Sequence, residues 1–327
     1  MEKKLKKLLA LLLALLMVLA LFSCAGKKEE SEPVDEPEEE QGDGSPTVTL
    51  SLNQLLNLAN ESWTFNELIT RIFTDYVAYT ADDGITITVA ERKKDVPSPT
   101  YDYSKIVTDE KGFKYYDMNS ETKKSWRGID VSAYQEDIDW EAVANSGVDF
   151  AFIRLCYRGY TEGSLVRDVY FDRNVQGAIE NGIGVGVYFV TQAITVEEAK
   201  EEARYVLENI KYYDVTWPLV YDIEGHSSTE ARANKISLEK NTEQIVAFCE
   251  TIKEAGYTPM VYSNTKWFVS KIDMSQIKDY DIWYAYYKDS VYFPYNFQIW
   301  QHSCTGRVNG ISGDVDLNIS FVNYGER

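Results

Sequence analysis

Histidine and closely spaced cysteine are nearly absent from this chain of 327 residues. Its two histidines, His226 and His302, are far apart, and its four cysteines form no C-x-x-C pair, so the usual zinc motifs are missing. No G-x-S-x-G motif is present, which argues against a serine hydrolase of that type. The sequence therefore predicts no metal and no cofactor, although a calcium site built only from carboxylates stays open.

Positive charge is also scarce: 33 lysine and arginine residues stand against 52 aspartate and glutamate residues, for a formal net charge of −19. Residues 1–23 contain four lysines and one glutamate, so the remainder of the chain carries −22. A protein that neutralises nucleic-acid phosphates needs a basic surface, and one held by anionic lipid headgroups needs a polybasic patch. We therefore expect no nucleic-acid partner, and any attachment to a membrane must have another cause.

The first 23 residues have the layout of a secretory signal peptide. A lysine-rich start precedes an apolar run from Leu8 to Phe22, and Ser23 and Cys24 follow. The apolar run is shorter than the roughly 20 residues of a spanning helix, so a single transmembrane anchor is the weaker alternative. Because residues 21–24, LFSC, resemble a bacterial lipobox, we predict that Cys24 is lipidated and that this lipid anchors the exported protein to the cell membrane.

Composition divides the rest of the chain into three segments. Residues 24–47 are acidic, contain proline and glycine and lack aromatic residues, so they are predicted to form a disordered linker. Residues 48–122 combine helical apolar spacing with an alternating strand pattern, GITITVAE, and are predicted to form a small α+β module. No chemistry is evident in this module, and its role as a spacer or a ligand-binding module stays open. Residues 123–327 form the third segment and are predicted to be one large domain.

From Trp126 onward, apolar strands alternate with amphipathic helices. RGIDVSAY, DFAFIRLCY, IGVGVYFV and PLVYDIE are strand patterns, and RDVYFDRNVQGAIENG and TVEEAKEEARYVLENI are helix patterns. This alternation predicts an α/β fold with a parallel sheet covered by helices. An irregular β/α barrel of TIM-barrel type competes with an open doubly wound sheet. No glycine-rich phosphate loop follows the first strand, so a dinucleotide site is unsupported.

Carboxylates follow or end several of these strands. Asp222 and Glu224 are two residues apart, so on a strand they point to one face with Cα atoms about 6.5–7 Å apart. Two carboxylates that close favour one protonated general acid beside one charged neighbour. A lone D-x-E pair is more often solvated than catalytic. Asp130 in GIDVS and the acids of GDVDLN, which include Asp316, end other predicted strands, and this recurrence favours acid/base catalysis.

Aromatic residues are dense in the C-terminal third of the chain, and the sequence contains 24 tyrosines and 7 tryptophans. Tyrosine and tryptophan can pack on the flat apolar face of a sugar ring while they form hydrogen bonds at its edge. Most of these residues are expected to fill the core. Four of them lie at or near strand ends and are predicted to line a saccharide groove: Tyr188, Tyr262, Trp283 and Tyr286.

Seven blocks of residues 126–324 resemble, in order, the signature blocks of glycoside hydrolase family 25, the N-acetylmuramidase lysozymes of bacteria and phages. They are RGIDVSAYQEDIDW, FAFIRLCYRGY, Asp168-x-x-Phe171-x-x-Asn174 followed by AIENGIGVGVYF, PLVYDIE, PMVYSN, IWYAYY and QIWQHSCTGRVNGISGDVDLN. The resemblance implies an irregular β/α barrel that cleaves the β-1,4 bond between N-acetylmuramic acid and N-acetylglucosamine in peptidoglycan. One departure is Phe189, which follows Tyr188 where many members have a histidine.

Position by position, the resemblance implies that Glu224 is the general acid, which protonates the leaving oxygen and later activates water. Asp222 would orient and stabilise the substrate's acetamido group or an oxocarbenium ion, and Asp130 and Asp316 would complete an acidic floor. Gln301, in the last block, is a further substrate-binding candidate. The expected outcome is net retention, either with acetamido assistance or through a covalent adduct on Asp222.

Two other functions stay open on the residues alone. A chitinase-like N-acetylhexosaminidase also places D-x-E at a strand end, and a non-catalytic glycan-binding lipoprotein would keep the groove without turnover. All four acids of the family pattern are present, which favours the enzyme. We expect a monomer that faces the cell wall and has peptidoglycan strands as its partner.

Overall fold

A computed structural model of the protein describes residues 64–81, 83–116 and 125–326. The predicted signal peptide, Cys24 and the predicted linker lie outside the described residues, so these remain predictions. The chain divides after Arg92 into two compact units. The proposed domain boundary after residue 122 also stays a prediction.

The first unit contains one helix and one hairpin among its described residues. Helix α1 (Phe65–Ile72) begins with a capping box, in which the side chains of Thr64 and Glu67 each accept from the other's backbone N–H. Strands β1 (Tyr76–Thr80) and β2 (Ile87–Glu91) pair antiparallel. Apolar residues of α1 and β1 form a small separate core.

The second unit begins with a short antiparallel hairpin, β3 (Ile106–Thr108) and β4 (Lys114–Tyr116), and continues into a barrel. The later strands are β5 (Trp126–Val131), β6 (Phe150–Arg158), β7 (Leu165–Arg167), β8 (Gly184–Val190), β9 (Leu219–Asp222), β10 (Pro259–Asn264), β11 (Asp281–Ala285), β12 (Ile299–Gly306) and β13 (Val315–Ser320). All except β7 form a closed ring, because β5 pairs with both β6 and β13. The closure confirms the barrel and excludes the open sheet.

Helices connect most of the parallel strands. They are α2 (Trp140–Asn145), α3 (Phe171–Glu180), α4 (Val196–Ile210), α5 (Leu238–Glu254), α6 (Thr265–Ser270) and α7 (Met274–Ile277). Side-chain caps fix where several of them begin: Asp139 accepts from the third residue of α2, and Thr195 and Ser237 cap α4 and α5 in the same way.

The barrel is irregular at its C-terminal side. Strand β13 runs antiparallel to both neighbours, β12 and β5, whereas the other ring strands pair in parallel. Residues 286–314, all of which the structure describes, contain no helix. The start of β13 therefore lies at the same end of the barrel as the carboxyl ends of the parallel strands.

Aromatic side chains fill the lower part of the barrel interior. Phe150 and Phe152 belong to an inner apolar cluster with Trp217 and Trp283. Glycine is required opposite them, because a Cβ on Gly128 would lie 2.1 Å from the Phe150 ring. Since alternate residues of a strand share a face, the residue two positions after Gly128, Asp130, also points inward, above this apolar floor.

Candidate active site at the open end of the barrel

The four predicted acids meet at one end of the barrel. Asp130 lies near the end of β5, Asp222 is the last residue of β9, and Glu224 follows two positions later. Asp316 was expected at the carboxyl end of a strand, but it lies at the start of β13. Because β13 is antiparallel, this position pairs directly with Asp130. The structure thus brings together all four candidates. Asp314, two residues earlier, is instead exposed and ion-paired with Arg307 at 2.9 Å.

Burial raises the pKa of each of these acids, and neighbouring negative charges raise it further. Burial is the largest cause for Asp130 and Asp222, whose pKa values lie well above the usual range, and the charge of Asp316 raises that of Asp130 further. For Glu224 the causes are burial and then the charge of Asp316. The charge of Glu224 contributes to the increase for Asp222, so the two carboxyls disfavour being ionised together, and the prediction of one protonated acid beside one charged neighbour stays a prediction.

Asp130 is fixed by two side-chain amides. Its Oδ2 atom accepts hydrogen bonds from Gln301 Nε2 and Asn318 Nδ2, both at 2.8 Å. Asn318 Oδ1 in turn accepts from Trp283 Nε1 at 2.8 Å. These bonds hold one oxygen of Asp130 in place.

Gln301 is the centre of this hydrogen-bond network. Its Oε1 atom accepts from the hydroxyls of Tyr262 and Tyr287, both at 2.7 Å, while its Nε2 donates to Asp130. The side chain is buried. Its contacts are those of a residue that orients an acid, and its predicted role in binding substrate stays a prediction.

The predicted groove aromatics fall into two places. Tyr188, Tyr262 and Trp283 lie in the inner cluster beneath the acids and are 9%, 7% and 1% exposed, so their faces are largely covered by neighbours. Trp283, for example, stacks on Phe152 with 4.5 Å between ring centroids. The structure does not bring Tyr286 to this site: its ring stacks on Tyr284, which belongs to the outer apolar cluster.

Exposed tyrosines stand around the acids instead. Tyr134 follows β5, Tyr157 and Tyr160 lie at and after the end of β6, and Tyr287 follows β11. Each is among the exposed large side chains of the described residues. Sequence analysis missed this set, although every member lies at or just beyond a strand's carboxyl end. Their rings have the accessibility that stacking on a sugar requires.

Arg154 and Asp168 brace the same end of the barrel. The Arg154 guanidinium contacts Asp168 Oδ2 through Nε and Nη2, both at 2.9 Å. The Asp168 carboxylate also accepts the backbone N–H groups of Ala133 and Tyr170. The positive charge of Arg154 lowers the pKa of Asp222, against the stronger effect of burial. Asp168 thus connects the loop after β5 to the cation beside the acids.

Within the described residues, no group of three or more His, Cys, Asp or Glu side chains is placed to hold a metal ion. In the same part of the chain, no helix has the length and hydropathy needed to cross a bilayer.

Asp222 Oδ1 is buried and has no hydrogen-bond partner among the described residues. The site therefore contains interacting carboxyls with raised pKa values and one buried acceptor oxygen without a partner among these residues, which is an arrangement suited to general acid catalysis.

Comparison with known proteins gives a consistent set of relatives. Residues 129–311 match the family Glycosyl hydrolases family 25. The uncharacterized protein YegX of Escherichia coli is 33% identical over 202 residues, which cover 59% of this chain and 68% of YegX. Lysozyme M1 of Streptomyces globisporus is 30% identical over 203 residues, 59% of this chain and 66% of its own length.

A solved structure shares the fold. The modular autolysin LytC from Streptococcus pneumoniae matches with a TM-score of 0.55 and 23% identity over 75% of this chain. The match covers 56% of LytC, so this chain corresponds to little more than half of that protein. LytC has also been solved in complex with a synthetic peptidoglycan ligand.

Proposed function

This chain belongs to glycosyl hydrolase family 25, and from that premise we propose that it is a muramidase that cleaves the β-1,4 bond between N-acetylmuramic acid and N-acetylglucosamine in peptidoglycan. The lysozyme name of a 30% identical relative supports this substrate. The observation that carries the proposal is the set of four interacting carboxyls at the open end of the barrel. Exposed tyrosines around that end fit an extended glycan.

Glu224 is the proposed proton donor. Its raised pKa keeps the carboxyl protonated at pH values at which a free glutamate is ionised, so a proton is available for the leaving oxygen. As the glycosidic C–O bond breaks, this proton moves to the oxygen of the departing sugar. The resulting Glu224 carboxylate then takes a proton from the water that attacks the anomeric carbon.

Asp222 is proposed to act on the sugar whose anomeric carbon reacts. Asp222 and Glu224 are two positions apart along the chain, and such a short separation suits the roughly 5–5.5 Å between carboxyls in retaining enzymes. The unpartnered Oδ1 of Asp222 can accept the N–H of the sugar's 2-acetamido group. That bond would orient the acetamido oxygen, which forms a bond to the anomeric carbon as the glycosidic bond breaks. Water then displaces this oxygen from the opposite side, so two inversions give net retention.

Asp130 and Asp316 are proposed to stabilise the positive charge that develops on the sugar ring. Both lie at the same end of the barrel as the proton donor, and the charge of Asp316 acts directly on Glu224. In a site that excludes water, a fixed negative charge stabilises an oxocarbenium-like transition state more strongly than in solution. The amides of Gln301 and Asn318 hold Asp130 ready for this role.

Digestion of purified peptidoglycan tests the proposal. A muramidase should release fragments with muramic acid at the reducing end, which mass analysis after borohydride reduction identifies. Chitin is the comparison substrate, since a chitinase-like hexosaminidase would cleave it in preference. NMR of the first-formed anomer would distinguish retention from inversion. Intact peptidoglycan after prolonged incubation, with glycan binding preserved, would instead favour a non-catalytic binding protein.

The proposed location is the outer face of the cell membrane, with the lipid on Cys24 as anchor and the cell wall within reach. The support is the N-terminal pattern of residues 1–24 together with a wall polymer as the proposed substrate. We propose that the protein acts as a monomer there, since one barrel carries all four acids.

A further inference from the structure

Gln192 is a buried polar residue that the roles described so far do not use. It lies two positions beyond the end of β8 and is 5% exposed. Its Oε1 atom has no hydrogen-bond partner within the described part of the chain. A buried amide oxygen without a partner destabilises a folded protein, because water is removed and nothing replaces it. Such a group is therefore expected either to face an unseen ligand or to serve only as packing.

The backbone register places Gln192 beside Glu224. Strands β8 and β9 are parallel with Val190 next to Asp222, and the Thr191 N–H donates to the Asp222 carbonyl at 2.9 Å. Continued for two residues beyond the ends of both strands, this register brings Gln192 level with Glu224. Neighbouring strands lie about 4.8 Å apart, so the two residues are lateral neighbours at the mouth of the barrel.

The alternation of side chains points Gln192 toward the acids. Thr191 faces the surrounding helices, where its hydroxyl donates to the Glu202 carboxylate at 2.8 Å and lies 3.0 Å from the Tyr221 hydroxyl. Val190 packs against the inner cluster, on the opposite face. Because successive side chains of an extended segment alternate, Gln192 lies on the same face as Val190, toward the barrel interior.

Two unpartnered acceptors therefore lie at the ends of neighbouring strands, on Asp222 and Gln192. Both can accept a hydrogen bond from a ligand that carries N–H groups. The sugars of the proposed substrate each carry a 2-acetamido group, and a carboxamide side chain can either accept a hydrogen bond from such a group or donate one to it. Its oxygen can accept the acetamido N–H, and its NH2 can donate to the acetamido carbonyl.

We propose that Gln192 is a substrate-binding residue that accepts the acetamido N–H of a sugar bound against Glu224. This inference rests on the proposed function, and it adds a specificity determinant: preference for 2-acetamido sugars over sugars with a 2-hydroxyl. It also explains why the free protein retains a buried oxygen without a partner.

The test combines stability with glycan binding. In Gln192→Met an apolar side chain of similar length replaces the amide, so thermal stability should be unchanged or higher, since the unpartnered oxygen is removed. Binding of tri-N-acetylchitotriose, measured by NMR titration, should weaken about threefold to tenfold, the range for one lost neutral hydrogen bond. Binding of cellotriose, which has hydroxyls in place of acetamido groups, should change less.

Gln244→Met is the matched control. Gln244 is also a buried glutamine with an unpartnered side-chain nitrogen, but it lies on α5, outside the barrel mouth. This variant should leave the affinity for both sugars unchanged. A Gln192→Met protein with lower thermal stability and unchanged affinity would show that Gln192 only packs, and the inference would be overturned. Equal weakening toward both sugars would overturn the acetamido assignment.

The result can be separated from the proposed function by digesting peptidoglycan with the wild-type protein in parallel. Digestion by the wild type without any effect of Gln192→Met on sugar binding would overturn this inference alone. A selective loss of chitotriose binding with no peptidoglycan digestion would support the Gln192 contact and count against the muramidase.

Discussion

Asp316 of β13 lies directly opposite Asp130 of β5 in their antiparallel pairing. Residues directly opposite each other have Cβ atoms about 4.5–5.5 Å apart, and like charges so placed repel. Burial is the largest cause that raises the pKa values of both carboxyls, and the charge of Asp316 raises that of Asp130 further. The pair therefore gives up its last proton at a higher pH than exposed aspartates do.

This pair makes folding stability depend on pH. The pKa values of the two carboxyls are higher in the folded state than in the unfolded state. At pH values between the unfolded and folded pKa, the folded state therefore binds more protons, and the free energy of unfolding falls as pH rises. We expect Asp316→Asn to raise the melting temperature at pH 7 by about 2–4 °C if the relief is worth about 1 kcal/mol. The gain should shrink near pH 4, where the carboxyls of both states approach protonation. Asp314→Asn, at an exposed ion pair, is the calorimetric control. A gain of equal size at both pH values would contradict this origin.

Substitution of the proton donor should separate chemistry from folding. Glu224→Gln removes the transferable proton but keeps the shape of the side chain, and we expect peptidoglycan turnover to fall by about 10²–10⁴-fold. The melting temperature should not fall, because the lost carboxyl is already disfavoured as a charge by burial. Glu230→Gln, an exposed acid in the loop that follows, should retain full activity. Wild-type clearing of cell-wall suspensions by Glu224→Gln would exclude Glu224 as the acid.

The alkaline limb of the pH–activity profile should report on Glu224. Because its protonated form is the active one, kcat/KM should fall as pH rises through its raised pKa. The charge of Asp316 is the second cause of that increase, so Asp316→Asn should shift the limb to lower pH. Profiles of both proteins on soluble glycan fragments would measure the shift. An unmoved limb would mean that another group controls it.

Gln301 should behave as a positioning residue. Gln301→Leu removes the donor to Asp130 and the acceptor of the Tyr262 and Tyr287 hydroxyls, so we expect kcat to fall about tenfold or more with little change in KM. A higher KM with unchanged kcat would instead support the predicted substrate contact. Gln176→Leu, at an exposed position on α3, is the control for the substitution itself. Circular dichroism would verify that both variants fold.

The membrane anchor can be tested at a single sulfur. Cys24→Ala removes the predicted site of lipidation, so we expect the protein to leave the membrane fraction and appear in the soluble exported fraction. Cys304→Ala leaves the predicted lipidation site intact and should remain with membranes. Fractionation followed by immunoblotting measures both. Continued membrane attachment of Cys24→Ala would favour an uncleaved transmembrane segment.

Local sequence patterns were sufficient to predict the α/β alternation and the four candidate acids, whereas the choice of a barrel over an open sheet rested on the family resemblance. Apolar strands with acids at their ends are visible in PLVYDIE and GIDVS without any knowledge of packing. The direction of β13 was not predictable in this way, because strand direction is set by distant partners rather than by local residues. For the same reason, the amides that hold Asp130 gave no signal: Gln301 and Asn318 contact it from strands 171 and 188 residues away.

The tyrosine after β11 was misassigned although the sequence contains the signal. Trp283 points into the barrel, and alternation then directs Ala285 and Tyr287 inward and Tyr286 outward. Trp283 and Tyr286 were both predicted to line the groove, yet an odd spacing on a strand puts two residues on opposite faces. The tyrosine that lies at the site is therefore Tyr287, whose hydroxyl donates to Gln301 Oε1, and not Tyr286.

Since β13 is the strand that closes the ring, the acidic site has a built-in order of assembly during synthesis. A nascent chain that has not yet emerged past Val315 contains Asp130, Asp222 and Glu224 but has no partner strand between β12 and β5. Contacts between strands so distant in sequence form slowly, after the local ones. All four acids are therefore brought together only when β13 pairs with β12 and β5.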